Sequence, residues 1–104
     1  MTAFQKNGGA LTASISATTT SGRAAMSGVS GGGDQVRVAV DAGATSAAWA
    51  YIAFGDDTVE ATVNDIAMRV STVEVFTVGR GVTHFAVRTD VGTAVVKAIR
   101  GTIA

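Results

Sequence analysis

The sequence predicts an all-β protein: a single antiparallel β-sandwich or jelly-roll-like domain that follows an extended N-terminal arm. Three observations support this prediction. Apolar and polar residues alternate with a period of two through most of the chain, β-forming residues fill the alternating segments, and glycine or aspartate turns separate them at intervals of roughly 8–12 residues. Short strands at this spacing are typical of sandwiches and jelly rolls, so we expect about seven or eight strands.

The first half of the chain contains three segments with strand patterns. In residues 10–18 apolar residues alternate with serine and threonine, which predicts a half-buried strand added at the edge of a sheet. Valine alternates with polar residues over 35–40 and predicts a second strand. Residues 47–54 are apolar on both faces, so we expect a central strand there. Residues 21–27 have the composition of one helical turn at most.

The second half continues the same pattern toward the C-terminus. A short strand is predicted over 58–62, after a Gly-Asp-Asp turn. Segments 72–78, 82–89 and 93–99 are rich in β-branched residues, and glycine-containing turns separate them. Because such turns commonly join neighbouring antiparallel strands, the pattern predicts two consecutive hairpins. The residues expected in the core are Val36, Val38, Ile52, Phe54, Val75, Phe85, Val87 and Val95.

A change in composition divides the chain near residue 34. Residues 1–33 are rich in glycine, serine, threonine and alanine, whereas 34–104 contain most of the valine, isoleucine and aromatic residues. Three consecutive glycines at 31–33 form a flexible boundary. We therefore expect an N-terminal arm and edge strand over 1–33 and a β-sandwich domain over 34–104. The large apolar side chains with which the arm is expected to bind a partner are Phe4, Leu11, Ile15 and Met26.

The composition excludes several classes of function. The 104 residues include 8 basic and 8 acidic side chains, so the chain lacks the surplus of positive charge with which proteins bind nucleic acid. The absence of cysteine and the single histidine exclude disulfide scaffolds, thiolate catalysis and metal sites with several cysteine or histidine ligands. No apolar run approaches the roughly 20 residues that cross a bilayer. We expect neither a nucleic-acid partner nor a membrane partner, and no secretory signal.

Acidic residues are concentrated in one predicted turn region. A calcium site needs about six to eight oxygen ligands, and the spacing of these carboxylates matches no metal-binding loop, so we interpret them as solvated turns. Glycosidic cleavage requires paired carboxylates inside a cleft, for which the chain has few aromatic residues. We therefore expect no enzyme activity, no metal and no cofactor. The acidic residues concerned are Asp56, Asp57, Glu60 and Asp65.

Three further side chains have alternative interpretations. His84 lies on a predicted strand, across a predicted hairpin from Glu74 and Phe76, and is either a general base or a polar residue on a sheet surface. We favour the second interpretation because no nucleophile in a recognisable setting accompanies it. Trp49 and Tyr51 share one face of a strand and form a sugar-stacking platform, a hot spot for a partner protein, or the second face of a buried strand. We favour packing in the core.

A series of strand and turn motifs runs in order through residues 50–104. The motifs are Tyr51-Ile52-Ala53-Phe54-Gly55, residues 59–62, Asp65-Ile66, Val73-Glu74-Val75-Phe76, Thr83-His84-Phe85-Ala86, Gly92-Thr93-Ala94 and Arg100-Gly101. In this order they resemble the small β-sandwich structural proteins encoded among the virion genes of tailed bacteriophages. The first residues, MTAFQKN, and the segment GGGDQVRV also resemble the front of such proteins. Residues 67–71 stand where these proteins often have a proline and a glycine.

The resemblance implies a non-enzymatic virion structural protein that decorates or stabilises the capsid. It implies the major capsid protein or another virion protein as partner, self-association as a homotrimer, and a place on the head surface of the particle after synthesis in the host cytoplasm. A small core, a net charge of zero and strands without proline independently favour a homo-oligomer. Two alternatives remain open: a tail, fibre or head–tail component, and a carbohydrate-binding adhesion module that uses Trp49 and Tyr51.

Overall fold

The computed structural model describes residues 4–6, 12–26, 35–45, 47, 49–79 and 81–103. Among these residues no helix occurs, and hence none that is long and apolar enough to cross a membrane. The strands are β1 (Phe4–Lys6), β2 (Ala13–Ala17), β3 (Gly22–Ala25), β4 (Gln35–Ala42), β5 (Trp49–Gly55), β6 (Ile66–Arg69), β7 (Thr72–Thr77), β8 (His84–Thr89) and β9 (Ala94–Ile103).

The strands form two antiparallel sheets. Sheet I contains β1 and β2 at one edge, followed by β9, β4 and β7, and sheet II has the order β3, β8, β5, β6. β1 and β2 share an edge of sheet I because β1 pairs with residues 101–103 of β9, whereas β2 pairs with residues 94–98. β7 is the opposite edge of sheet I, and β3 and β6 are the two edges of sheet II.

The pairing pattern is that of a jelly roll. β2 pairs with β9, β3 with β8, β4 with β7 and β5 with β6, so β2–β5 run along a ribbon and β6–β9 return beside them. The ribbon closes into two sheets because β4 also pairs with β9, and β5 also pairs with β8. The predicted antiparallel sandwich or jelly-roll-like domain is therefore confirmed, and the strand order selects the jelly roll.

The two predicted hairpins in the C-terminal half are wrong. β7 lies in sheet I, β8 in sheet II and β9 in sheet I again, so none of these consecutive strands pairs with the next. The glycine-containing turns between them instead carry the chain from one sheet to the other, and Gly92 adopts a φ of 68° in the second of these turns. Turn composition alone does not distinguish a hairpin from such a crossing, because both need the same backbone freedom.

Three local predictions also differ from the structure. Residues 58–62 form no strand, since Asp56 and Asp65 accept hydrogen bonds from the backbone of Thr58 and Thr62 and close turns there. Residues 66–69 form β6, which pairs with β5 and was not predicted. Residues 22–25 form β3 rather than a helical turn, because pairing with β8 outweighs the local preference of arginine and alanine for helix.

The core lies between the two sheets. The predicted core residues that are fully buried there are Val36, Val38, Ile52, Phe85 and Val87, and Phe54 packs half-buried against them. The prediction is wrong for Val75 and Val95, which alternate onto the outer face of sheet I. Val36 lies directly opposite Phe76 and Arg100, so the even-numbered residues of β7 and β9 face inward.

The core also extends N-terminal to the predicted boundary at residue 34. Ile15, Ala17 and Met26 are buried in the same cluster as the central valines. The expected edge strand within 10–18 is confirmed by β2, which pairs along β9. The jelly roll thus begins at β2, and β2 and β3 provide one edge strand of each sheet.

Among the residues that the structure describes, two polar side chains are buried within the sandwich. Arg100 is only 2% exposed and its guanidinium Nη1 donates a hydrogen bond to the carbonyl of Val82 at 2.6 Å. The Thr89 hydroxyl donates to the carbonyl of Gly92 at 2.7 Å. Both bonds satisfy backbone carbonyls of the segments that cross between the sheets, which stabilises these crossings.

Candidate interaction surfaces

The structure describes the side chains of two of the four arm residues that are predicted to bind a partner. Ile15 and Met26 are buried in the core of their own chain, so their side chains are not available to a partner in this fold. The backbone amide of Met26 also donates to the carbonyl of Thr83 at 2.8 Å, which fixes the end of β3. Phe4 belongs to β1 by its backbone, whereas its side chain and Leu11 lie outside the described residues.

The outer face of sheet II carries a group of aromatic and arginine side chains. Trp49 and Tyr51 point outward because Ala50 and Ile52, with which they alternate, are buried. Across β5, Trp49 lies opposite Arg69 of β6, and Tyr51 lies opposite Arg88 of β8. We call this group the aromatic–arginine face and define it as Trp49, Tyr51, Arg69 and Arg88.

Trp49 is the more exposed of the two aromatic residues of the aromatic–arginine face. Its side chain is 37% exposed, so the interpretation of Trp49 as a core residue is wrong. The guanidinium carbon of Arg69 lies 5.3 Å from the centroid of the indole ring, within the range of a cation–π contact. The backbone amide of Trp49 donates to the carboxylate of Asp90, and its carbonyl accepts from the amide of Asp90. Two hydrogen bonds to Asp90 therefore fix the backbone that carries the indole.

The two arginines of this face have no acidic partner among the described residues. Neither Arg69 nor Arg88 forms an ion pair with any residue that the structure describes. Arg88 is half-buried, and its Nε atom is buried without a hydrogen-bond partner. Since a guanidinium carries five donors and is always charged, both side chains retain hydrogen-bonding capacity for acceptors from outside the chain.

The loop between β5 and β6, residues 56–65, folds back against the outer face of sheet II. The guanidinium of Arg23 donates to the carbonyl of Val59 at 3.3 Å, and the amide of Ala61 donates to the hydroxyl of Ser21 at 2.8 Å. Gly55 permits this approach, because a Cβ at that position would lie 2.9 Å from the Cβ of Val59. The loop therefore covers the part of the outer face of sheet II that lies near β3, and it leaves Trp49 exposed.

The acidic residues of this loop form turns. The carboxylate of Asp56 accepts from the Thr58 hydroxyl at 2.6 Å and from its amide at 2.9 Å, and Asp65 accepts from Thr62 in the same way. The hydrogen bond from the Thr58 hydroxyl, followed by the one from its amide, lowers the pKa of Asp56. Among the residues that the structure describes, no group of histidine and acidic side chains could hold a metal ion.

His84 has different neighbours from those predicted. It lies opposite Ala25 on one side and Gly55 on the other, not opposite Glu74 or Phe76, because β7 and β8 belong to different sheets. Its Nδ1 is 2.7 Å from the hydroxyl of the adjacent Thr83. Among the described residues, the hydrogen-bond partner of this ring is the Thr83 hydroxyl, and the charge of His84 is a minor cause of the lowered pKa of Asp56.

A second surface lies where the outer strands of both sheets meet. β6 and β7 are edge strands joined by the two-residue turn Val70–Ser71, in which Ser71 has a φ of 72°. Four of the six large apolar side chains that are exposed among the described residues belong to these strands and the loop before them. They are Val63, Ile66, Val73 and Val75, and we call this surface the β6–β7 edge. Sequence reasoning missed it because Val73 and Val75 lie on the more apolar face of β7, which alternation assigns to the core.

Comparison with protein-family models, with curated proteins and with solved structures found no match. The aromatic–arginine face and the β6–β7 edge are thus the observations that bear on function. Both expose aromatic, arginine or apolar side chains of the kind that contact another macromolecule.

Proposed function

We propose that the chain is a non-enzymatic structural protein of a bacteriophage particle, which decorates or stabilises the capsid through protein–protein contacts. The observation that carries the proposal is the exposed Trp49, with Arg69 over its ring and Tyr51 and Arg88 beside it. Tryptophan, tyrosine and arginine are the residue types most enriched among the hot spots of protein interfaces. These side chains lie side by side on the outer face of a sheet. This arrangement suits a partner protein better than a small substrate, which usually binds in a concave pocket.

The assignment to a virion rests on the sequence motifs in residues 50–104. The jelly roll is compatible with it, since this architecture occurs in viral capsids, but it also occurs in lectins and cupins. Fold alone therefore does not assign the function. Under the proposal the partner is the major capsid protein or another virion protein, and carboxylates of that partner meet Arg69 and Arg88.

The proposal includes a location and an oligomeric state. The protein is made in the host cytoplasm and is then placed on the head surface of the particle. The resemblance predicts a homotrimer, and zero net charge removes the repulsion that opposes self-association. A tail, fibre or head–tail position would use the same surfaces at a lower copy number.

Quantitative mass spectrometry of purified particles tests this proposal. Decoration of the head lattice predicts copies on the order of hundreds per particle, because lattice positions are repeated by symmetry. A few copies, or a few dozen, would move the protein to the tail or the vertices. Absence of the protein from purified particles would overturn the proposal.

A carbohydrate-binding adhesion module is the second candidate, and one observation favours it. Trp49 and Tyr51 lie on the same outer face of β5, two residues apart, as aromatic platforms for sugar rings do. Arg69 lies over one face of the Trp49 ring, so a sugar would have to use the other face or displace the guanidinium. Binding on a glycan array that is lost in Trp49→Ala, with an unchanged fold, would support this candidate.

A further inference from the structure

β7 is an open edge strand that has, in the part of the chain that the structure describes, one protective feature, the charge of Glu74 on its inner face. Among the described strands it pairs with β4 alone, so one side of its backbone has no strand beside it. Edge strands of monomeric proteins are usually protected by proline, by lysine or other charged side chains, by a bulge or by a covering segment. The sequence of β7, TVEVFT, contains neither proline nor lysine, and its single charge is Glu74.

The outer face of β7 is apolar as well as open. Val73 is 50% exposed and Val75 is 38% exposed, and both lie on the outer face of sheet I. Their neighbours on β4 are Ala39 and Arg37, respectively. Each valine thus has a partner on one side within the sheet and none on the other, which is the arrangement that strand addition completes.

We propose that the occupant of this edge is a second copy of the same chain, with the two β7 strands paired antiparallel about a two-fold axis. An axis beside Val75 sets Val75 against Val75 of the partner subunit, and Val73 against Thr77 of the partner subunit. Valine–valine pairs at such positions stabilise antiparallel sheets. The two copies of sheet I then form one continuous sheet across the dimer.

The other edge of sheet I is a poorer match for β7. Pairing of β7 with β2 of a neighbouring copy would join strands of suitable direction, since β2 and β7 run antiparallel in a sheet of alternating strands. It would, however, set the exposed valines against Ser14 and Ser16, which occupy the outer face of β2. The hydrophobic match is therefore between β7 and its own copy, and the copies carry no net charge to separate them.

Glu74 determines the register of the proposed pair. A two-fold axis beside Glu74 would set two carboxylates directly opposite each other, which is destabilising. With the two-fold axis beside Val75, Glu74 lies opposite Phe76 of the partner subunit. The two Glu74 carboxylates are then diagonal neighbours across the strand pair rather than directly opposite each other. This residual repulsion predicts that Glu74→Gln strengthens the dimer, an effect that pairing with the serine-rich β2 edge would not produce.

Sedimentation of the isolated protein over a range of concentrations tests the self-contact. The wild-type chain should pass from monomer to dimer as concentration rises, whereas the sequence resemblance implies a homotrimer. The two oligomeric states are alternatives, and this measurement distinguishes them. Val75→Lys should raise the dimer dissociation constant about tenfold or more, because a lysine on an edge strand disfavours pairing. Val91→Lys is the matched control, since Val91 is 61% exposed in the turn after β8, far from β7 in sequence and on no edge strand, and it should dimerise as the wild type does.

Other outcomes would overturn the proposal. These are a wild-type chain that remains monomeric, a trimer, a Val75→Lys variant that dimerises as the wild type does, or a Glu74→Gln variant that dimerises no more tightly. Circular dichroism and urea midpoints establish that each variant is folded. Sedimentation tests self-association, and mass spectrometry of particles tests presence in virions. A negative result in one measurement therefore does not contradict the proposal that the other measurement tests.

Discussion

At the scale of the residue, Trp49 combines exposure with a fixed position. The contact with the Arg69 guanidinium contributes about 0.5–1 kcal/mol at an exposed site, and the backbone bonds to Asp90 limit movement of the strand end. An aromatic side chain held in this way loses little conformational entropy when a partner binds. Its role is therefore expected in binding rather than in folding.

Replacing Trp49 with alanine should separate these two roles. We expect the free energy of unfolding to fall by about 1 kcal/mol or less, because the side chain is outside the core. Occupancy of particles should fall by the equivalent of about 2 kcal/mol in binding free energy, as for a hot spot. Val91→Ala serves as the control for loss of an exposed apolar side chain. Equal occupancy of the Trp49→Ala and wild-type proteins would remove Trp49 from the attachment surface.

Gly43 is required by a close approach of two turns. A Cβ at this position would lie 2.5 Å from the hydroxyl oxygen of Thr93 and 2.7 Å from its carbonyl carbon. Thr93 cannot move away easily, because its amide and hydroxyl are bonded to the backbone of Thr45. We expect Gly43→Ala to lower the free energy of unfolding by about 1–3 kcal/mol, as overpacking does.

Gly79 provides the control for this substitution. A Cβ there would meet nothing within 4 Å, so Gly79→Ala should leave stability unchanged or raise it by about 0.4–1 kcal/mol. Urea denaturation of both variants measures the difference. Equal midpoints for the two alanine variants would mean that the contact between Gly43 and Thr93 is not close in solution.

The carboxylate of Asp56 allows a test of the turn after β5 by titration. Because the pKa of Asp56 is lowered, its ionised form stabilises the turn at neutral pH, and this stabilisation is lost as the pH falls through the lowered pKa. Thr58→Val removes the hydroxyl donor, which is the largest cause of the shift, and should move the pKa of Asp56 upward. Titration by NMR checks this. Thr72→Val, whose hydroxyl donates to the carbonyl of Arg69, should leave the pKa of Asp56 unchanged.

At the scale of the element, strand positions were easier to predict than strand partners. Alternation located β2, β4, β5 and the strands near 72–78, 82–89 and 93–99, because burial of one face is a local property of the sequence. Pairing depends on the global roll of the ribbon, and no local signal indicates that β7 and β8 lie in different sheets. For the same reason the aromatic–arginine face could not be predicted from the sequence, because Trp49 contacts Arg69 only through the pairing of β5 with β6.

The N-terminal strands make unequal contributions to the fold. β1 pairs only with the last residues of β9, whereas β2 adds Ile15 and Ala17 to the core. We expect deletion of residues 1–9 to leave the jelly roll folded and to weaken attachment to the particle. In contrast, Ile15→Ala should lower the free energy of unfolding by about 2–5 kcal/mol, as is usual for a buried isoleucine.

Circular dichroism and urea denaturation compare these two variants, and particle occupancy follows for the truncated one. An unfolded truncation would make β1 part of the folding unit. A truncated protein that occupies particles as fully as the intact chain would show that residues 1–9 take no part in attachment.

At the scale of the whole molecule, the jelly roll presents two different surfaces in two directions. The aromatic–arginine face lies on the outer side of sheet II and suits an acidic partner surface. The β6–β7 edge is formed by the outer strands of both sheets and suits strand addition. A protein that attaches through one surface and associates with its own copies through the other is equipped for a repeated assembly.

A reconstruction of purified particles by electron microscopy, at a resolution that traces strands, tests the central claim most directly. The account predicts jelly-roll density repeated on the head lattice, with the outer face of sheet II and Trp49 toward the capsid protein. Particles without such density would contradict the proposed function. Density that attaches through another face, with Trp49 in solvent, would contradict the assignment of the aromatic–arginine face as the attachment surface.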